Sequence, residues 1–283
     1  MKPDALQGPV PVVRVPPPGT APTGRGAGPA AVRKAPWGGR AGGAAATRVV
    51  GGVAVVVLAD MHRHTRAWAW WQLVKGPRSL RAVPGLGFAK VLGSGAGGGF
   101  GLWPSGTHRG LFLVFQDEAA ARQFLTASPV LSAWRAHARE CCVALLRACS
   151  SKGCWDGASM AVTADAPGDD PADGPIVALT RASIHARHAL AFWRLSPPAE
   201  RDLQGAAGCD LAVGLGEAPL LRQATFSLWR SAAAMDAYAR SGAHQRAIRS
   251  AYGGGYFSES MFVRFVPLLI DGSWPGLPSQ AHG

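Results

Sequence analysis

At 283 residues, 48% of them hydrophobic, the chain can hold one large or two small domains with a sizeable core. Its formal charge of +12 is unevenly spread: residues 1–48 carry seven Lys or Arg against Asp4 alone, so +6 sits in a Pro/Gly/Ala-rich stretch. The remainder has no Lys/Arg cluster interleaved with aromatics and no apolar run near the roughly 18 residues that span a bilayer, so neither nucleic-acid binding nor a membrane-spanning helix is expected.

Residues 1–48 have too few large apolar side chains to fold and are expected to form a disordered basic tail. Residues 53–59 are a continuous apolar, β-branched run, which predicts a buried strand. Thr65 is placed to cap a helix through Val74, broken by Pro77. A strand is expected over 88–92, a glycine-rich loop over 93–101 and a strand over 111–115. Asp117 caps a helix to about Ala127, and Pro129 starts another to about Arg139. Residues 142–146 close this first module, 49–150, as a strand. Residues 151–175, with Asp165, Asp169, Asp170 and Asp173 among Gly and Pro, read as a solvated acidic linker. The same order then returns over 176–275. Strands are expected at 176–181, 210–215, 225–229 and 261–269. A helix over 184–194 is stopped by Pro197 and Pro198, Ser231 caps another to Arg240, and a further stretch covers 243–252. Residues 276–283 form a short tail.

The two modules also echo each other residue by residue. Phe115 and Phe124 correspond to Trp229 and Tyr238, Trp71-Gln-Leu73 to Trp193-Arg-Leu195, and Gly87, Gly93 and Gly95 to Gly208, Gly214 and Gly216. Two copies are too few for a solenoid. The order β-α-β-β-α-β, written twice, predicts an α+β fold of two tandem ferredoxin-like modules that form a pseudo-dimeric α+β barrel.

No motif on its own carries chemistry. Gly93-Ser-Gly95-Ala-Gly97-Gly98 has dinucleotide-loop spacing, but Gly99-Phe-Gly-Leu-Trp-Pro104 follows, where no helix can open to receive a pyrophosphate; it reads as a β-β connection. His62 and His64, and His185 and His188, have ligand-like spacings without a companion carboxylate. Cys141, Cys142, Cys149, Cys154 and Cys209 lack a Cys-x-x-Cys pair and read as reduced thiols in a cytoplasm. There is no Gly-x-Ser-x-Gly elbow and no carboxylate pair, so a hydrolase is not supported. Trp68, Trp70 and Trp71 cannot all face the core of one helix; some must line a cavity or the surface, which suits a large apolar ligand or a membrane contact.

Several long segments resemble one family. Residues 83–95 (Val-Pro-Gly-Leu-Gly-Phe-Ala-Lys-Val-Leu-Gly-Ser-Gly), 178–182, 213–219, 223–229 and 256–265, together with His244 and Ala247-Ile-Arg249, are similar to the spheroidene monooxygenases. The resemblance covers about residues 53–275. It implies a haem-dependent oxygenase that uses O2 and electrons from a ferredoxin-type donor to set a keto group at C-2 of acyclic carotenoids, in the cytoplasm or peripheral to the inner membrane. It points to His244 as the haem-iron ligand, with His137, in the repeat-equivalent region, as the second choice. Where the family is expected to carry a histidine before Gln223, this chain has Arg222, which suits a haem propionate. That departure leaves a second reading: a non-catalytic binder of haem or a lipophilic ligand on the same barrel.

Overall fold

The computed structural model describes all residues except 1–47, 100, 102, 163–173, 219–220, 241, 276 and 278–283. The N-terminal tail, the acidic stretch with Asp165 to Asp173 and nearly all of the C-terminal tail therefore lie outside the described residues. Module 1 runs β2 (Val53–Met61), α1 (Arg66–Lys75), β3 (Leu86–Gly95), β4 (Pro104–Phe115), α2 (Glu118–Ala127), α3 (Pro129–His137) and β5 (Ala138–Gly153). Module 2 repeats it with β7 (Ile176–Ile184), α4 (Ala189–Gln204), β8 (Cys209–Ala218), β9 (Arg222–Trp229), α5 (Ala232–Ala239), α6 (Gly242–Gly253) and β10 (Phe257–Gly272). Two short strands, β1 (Arg48–Val50) and β6 (Ala158–Met160), pair with each other in parallel.

The eight long strands close into one barrel in the order β10-β5-β2-β4-β3-β8-β9-β7. Each half is the ferredoxin-like sheet, and the halves meet at two seams formed by equivalent strands, as a pseudo-two-fold requires. The seams are unequal. β10 pairs with β5 from Met261↔Gly153 to Gly272↔Cys142. β3 meets β8 at the single pair Gly93↔Gly216, two of the glycines that match in the sequence repeat.

Strand alternation sorts the core into three parts. In-facing residues of both modules, among them Val56, Phe112, Val177, Phe226 and Phe265, fill the barrel. Val55, Val57, Leu111, Leu113, Val143 and Leu145 face outward under the module 1 helices with Phe124 and Trp134. A smaller cluster around Ile176, Trp229 and Met235 lies under the module 2 helices. The repeat is physical: Phe115 packs on Phe124 at 5.5 Å between ring centroids, and Trp229 on Tyr238 at 5.3 Å. Asp117 and Ser231 cap equivalent helices, accepting from Ala120 N and Ala234 N. The β3–β4 connection is shorter at its start than the expected 93–101 loop, since Gly93–Gly95 end β3, and Phe100 within it lies outside the described residues. A Cβ at Gly95 would stand 2.5 Å from the Gly99 carbonyl oxygen, so only glycine fits this tight turn.

Three expectations need correction. Thr65 does not cap α1 with its side chain; its hydroxyl donates to the carbonyls of His62 and His137, tying the helix start to the end of α3. α4 runs through Pro197 and Pro198 to Gln204 instead of stopping there. The largest difference is at residues 154–160, read as the start of a solvated linker. Trp155 is 1% exposed and belongs with Ala158 and Met160 to the barrel interior. The segment is a plug, held because the indole stacks on Phe112 (5.4 Å, 10°) and meets Phe88 edge-on at 5.8 Å.

Candidate active site

The plug ends in a cluster of charges that four strands aim into one end of the barrel. Lys90 (β3), Arg181 (β7), Glu217 (β8) and Glu259 (β10) occupy in-facing positions, and Asp156 follows the plug tryptophan. Lys90 Nζ pairs with Asp156 and Glu217. Arg181 pairs with Glu259 and reaches Glu217 at 3.4 Å and Asp156 at 3.7 Å. Trp155 Nε1 donates to Glu217 Oε2 at 3.1 Å, while the Lys90 and Arg181 cations lie 5.6 and 5.4 Å from its ring. Glu259 also accepts from the backbone N–H of Gly157 and Asp156 and from Cys154 Sγ. Burial pushes the Glu259 and Asp156 carboxyls up. For Glu259 the backbone donors and Arg181, and for Asp156 the Lys90 ammonium, outweigh it and hold both below their ordinary values. These carboxylates pair with fixed partners on the barrel wall and on the segment's own backbone, an arrangement that ties the plug in place.

Outside the barrel, a cleft of about 310 Å³ lies along the weak β3–β8 seam. Trp70 and Leu73 of α1 form one wall, Trp193 of α4 another, and Val91 and Leu215 flank the seam glycines. Arg109 also lines it. This guanidinium, 1% exposed, donates to the carbonyls of His108 (2.7 Å), Ser105 (2.9 Å) and Gly106 (3.3 Å), and lies 4.7 Å from the Trp70 ring. Its Nε has no acceptor, and among the described residues no carboxylate pairs with it. Burial pushes its pKa down. The site is thus an apolar groove with a cation at its floor.

The two helix layers differ. In module 1 the out-facing side chains of the sheet, such as Val55, Val57, Leu111 and Leu145, are large and fully buried. In module 2 the corresponding face carries Ala178, Thr180, Ala182, Ala212, Gly216 and Thr225, and Thr180 and Thr225 remain half-buried although helices lie above them. These side chains fill less volume under the module 2 helices than the Val and Leu of module 1 fill under theirs. At the edge of this layer the His188 ring stacks on Tyr256 at 4.8 Å and accepts from Arg187 Nε at 3.1 Å.

The three residues singled out by resemblance fall in three places. His244 is in the first turn of α6, within the module 2 helix layer; its side chain lies outside the described residues. Arg222 opens β9 at the barrel mouth, half exposed, with NH1 4.0 Å from Glu217. His137 ends α3 in module 1, its ring flat on Trp68 at 4.1 Å and its Nδ1 donating to the Ala133 carbonyl at 2.7 Å. His62 and His64 merely stack on each other, and no group of three or more metal-ligating side chains occurs among the described residues. Burial raises the Cys141 and Cys209 thiols to about 11 and Cys142 to about 12, so these three stay protonated near neutral pH. Sequence reasoning missed Lys90, Arg181, Glu259 and the plug. Its available signal was a charge at an in-facing position of an otherwise apolar strand.

No family model matches the sequence. Among known structures, an aldoxime dehydratase in complex with butyraldoxime shares the fold, with TM-score 0.51 and 12% identity over 79% of this chain and 83% of that one. A second aldoxime dehydratase gives 0.50 at 13% identity over 79% and 85%. Sequence similarity is far closer to the spheroidene monooxygenase of Rhodobacter capsulatus, 37% identical over 210 residues (74% of this chain, 87% of the relative). It is closer still to that of Rubrivivax gelatinosus, 52% identical over 230 residues (81% and 88%). With a repeat-built barrel, an apolar seam cleft and identity of this extent over nearly the whole relative, the chain belongs to the spheroidene monooxygenase family.

Proposed function

We propose that this oxidoreductase is haem-dependent and sets a keto group at C-2 of an acyclic carotenoid, drawing on O2 and a reduced ferredoxin-type donor. The observation that carries the cofactor reading is the asymmetry of the two sheet faces. Module 1 has filled its face with Val and Leu, whereas the module 2 face, packed at one end around Ile176 and Trp229, elsewhere carries the small residues Ala178, Thr180, Ala182, Ala212 and Thr225. The residues present fit a flat macrocycle there, and α6 brings His244 into the same layer as the ligand we favour. His137 is disfavoured because its ring and Nδ1 are engaged in a closely packed layer. Arg222, half exposed, is the proposed partner for a propionate.

Bound haem supplies the O2 activation that no side chain here provides. The chain's own part is to bind, orient and keep dry. Trp70, Leu73 and Trp193 shield an extended polyene from water in the seam cleft, and Arg109 offers donors to its oxygen-bearing end. Repeated hydroxylation of one methylene, then loss of water, yields the ketone. The test is reconstitution of the full chain with haem, alongside co-expression with a spheroidene-forming pathway. A Soret band that His244→Ala removes and His137→Ala retains, together with the keto product, is expected; no haem binding at micromolar protein refutes the cofactor reading. The second reading, a non-catalytic binder of haem or a lipophilic ligand, is favoured by one fact: Arg222 stands where a histidine is expected and already leans on Glu217. Haem retention without any oxygenated polyene would decide for it.

A further inference from the structure

The outward face of α1 is apolar where a surface helix normally turns polar residues to water. Its inward face is accounted for: Ala69 and Gln72 are buried, and Trp68 and Leu73 pack against the module 1 core. Yet Ala67, Trp70, Trp71 and Val74, spaced i, i+3, i+4 and i+7, all face solvent. Trp70 is 46%, Trp71 55% and Val74 68% exposed. Trp103, 82% exposed, stands between Gly101 of the β3–β4 loop and Pro104 at the start of β4, both of which line the seam cleft. Charge completes the pattern. Between Asp60 and Asp117 the sequence has no Asp or Glu, while Arg63, Arg66, Lys75, Arg78 and Arg81 are exposed and, among the described residues, in no ion pair.

From this we infer that the α1 face docks on an anionic bilayer surface, with the Trp70 and Trp71 indoles at headgroup depth, the surrounding Arg and Lys on lipid phosphates, and the seam cleft opening toward the lipid. Indoles and flanking cations are the side chains that settle at a membrane interface. A soluble acidic partner would account for the cations but not for an apolar stripe with two tryptophans. Trp70 and Leu73 also wall the cleft, so the docked helix delivers an apolar ligand from lipid to groove without crossing water. The identity of that cargo rests on the carotenoid reading; the docking does not.

The test is co-sedimentation of the full chain with phosphatidylcholine vesicles, with and without phosphatidylglycerol, compared with Trp71→Ser/Val74→Ser and Arg78→Ala/Arg81→Ala variants. Circular dichroism confirms that each variant folds, which is expected because all four side chains are exposed. Wild type should bind the anionic vesicles with a salt-sensitive affinity. The first variant should lose at least about tenfold, and the second roughly fivefold for each cation removed. Unchanged binding by Trp71→Ser/Val74→Ser would assign the interaction to another surface, the basic tail above all, and overturn the proposal. Equal binding to neutral vesicles, or capture by a soluble acidic protein with no vesicle binding, would overturn it as well. None of these readouts involves turnover, so a failure here leaves ketone formation in detergent a separate question.

Discussion

Trp155→Ala tests the plugged barrel most directly. The indole is 1% exposed, stacked on Phe112, edge-on to Phe88, flanked by two cations and hydrogen-bonded to Glu217. Truncating a buried tryptophan costs about 3–5 kcal/mol when the surroundings cannot collapse, and eight hydrogen-bonded strands cannot collapse around one missing ring. Set against a net stability of about 5–15 kcal/mol, that is a large fraction. It should lower the melting temperature by about 6–20 °C at roughly 2–4 °C per kcal/mol for a domain of this size. Equilibrium urea unfolding followed by far-ultraviolet circular dichroism is the assay: the midpoint should fall while the slope stays constant. Trp155→Phe keeps a stacked ring and loses the Nε1 donor, so it should fall between wild type and the alanine variant. A change below about 1 kcal/mol for Trp155→Ala, typical of a surface substitution, would mean that the segment is a solvated linker after all.

Arg181→Leu should destabilise by about 3–5 kcal/mol in the same assay, because it leaves Glu259 buried with its cation gone and Glu217 with Lys90 alone; a smaller loss than for an exposed arginine such as Arg230 would contradict the cluster. Acid should weaken the fold in a defined window. Glu259 and Asp156 titrate lower in the folded chain than unfolded, so their contribution is complete above about pH 4 and disappears as pH falls through the lower folded values, and Glu259→Gln should flatten that loss. His108, lowered chiefly by burial, adds a shallower decline as pH drops below about 6.5, measurable as the difference between wild type and His108→Gln. At pH 8 iodoacetamide should leave Cys141, Cys142 and Cys209 largely unmodified by mass spectrometry until the chain is unfolded, since their thiols titrate at about 11, 12 and 11.

What was legible in the sequence was what is local or repeated. Asp117 and Ser231 announce their helices because a cap acts within three residues. The Phe115–Phe124 and Trp229–Tyr238 contacts were readable because each lies within one module and the chain writes it twice. The plug was not. Cys154-Trp-Asp-Gly has the composition of a turn, and what buries Trp155 is Phe112 of one module and Glu217 of the other. The ionic cluster was hidden for the same reason: Lys90 and Glu217 are 127 residues apart and meet only once the barrel closes. Of the site, the aromatic excess of α1 was visible, as was the need for some of it to face outward. Arg109 was not legible as a buried cation: its carbonyl acceptors, Ser105, Gly106 and His108, lie in its own strand β4, and a backbone carbonyl leaves no mark in residue type.

The unequal seams give the barrel the mechanics of a bound book. The β5–β10 ladder is its spine, eleven residue pairs from Met261↔Gly153 to Gly272↔Cys142, while the pages share one backbone pair, Gly93↔Gly216, fastened by the Lys90–Glu217 ion pair and by the Ser94 hydroxyl on the Gly214 carbonyl. Thermal opening therefore begins at that fore-edge. In native-state hydrogen exchange the amides of Gly93 and Gly216 should exchange through small local excursions, while those of Val263 and Phe265 wait for global unfolding. Since the cleft lies along the fore-edge, any widening of that seam should widen the cleft and leave the spine in place.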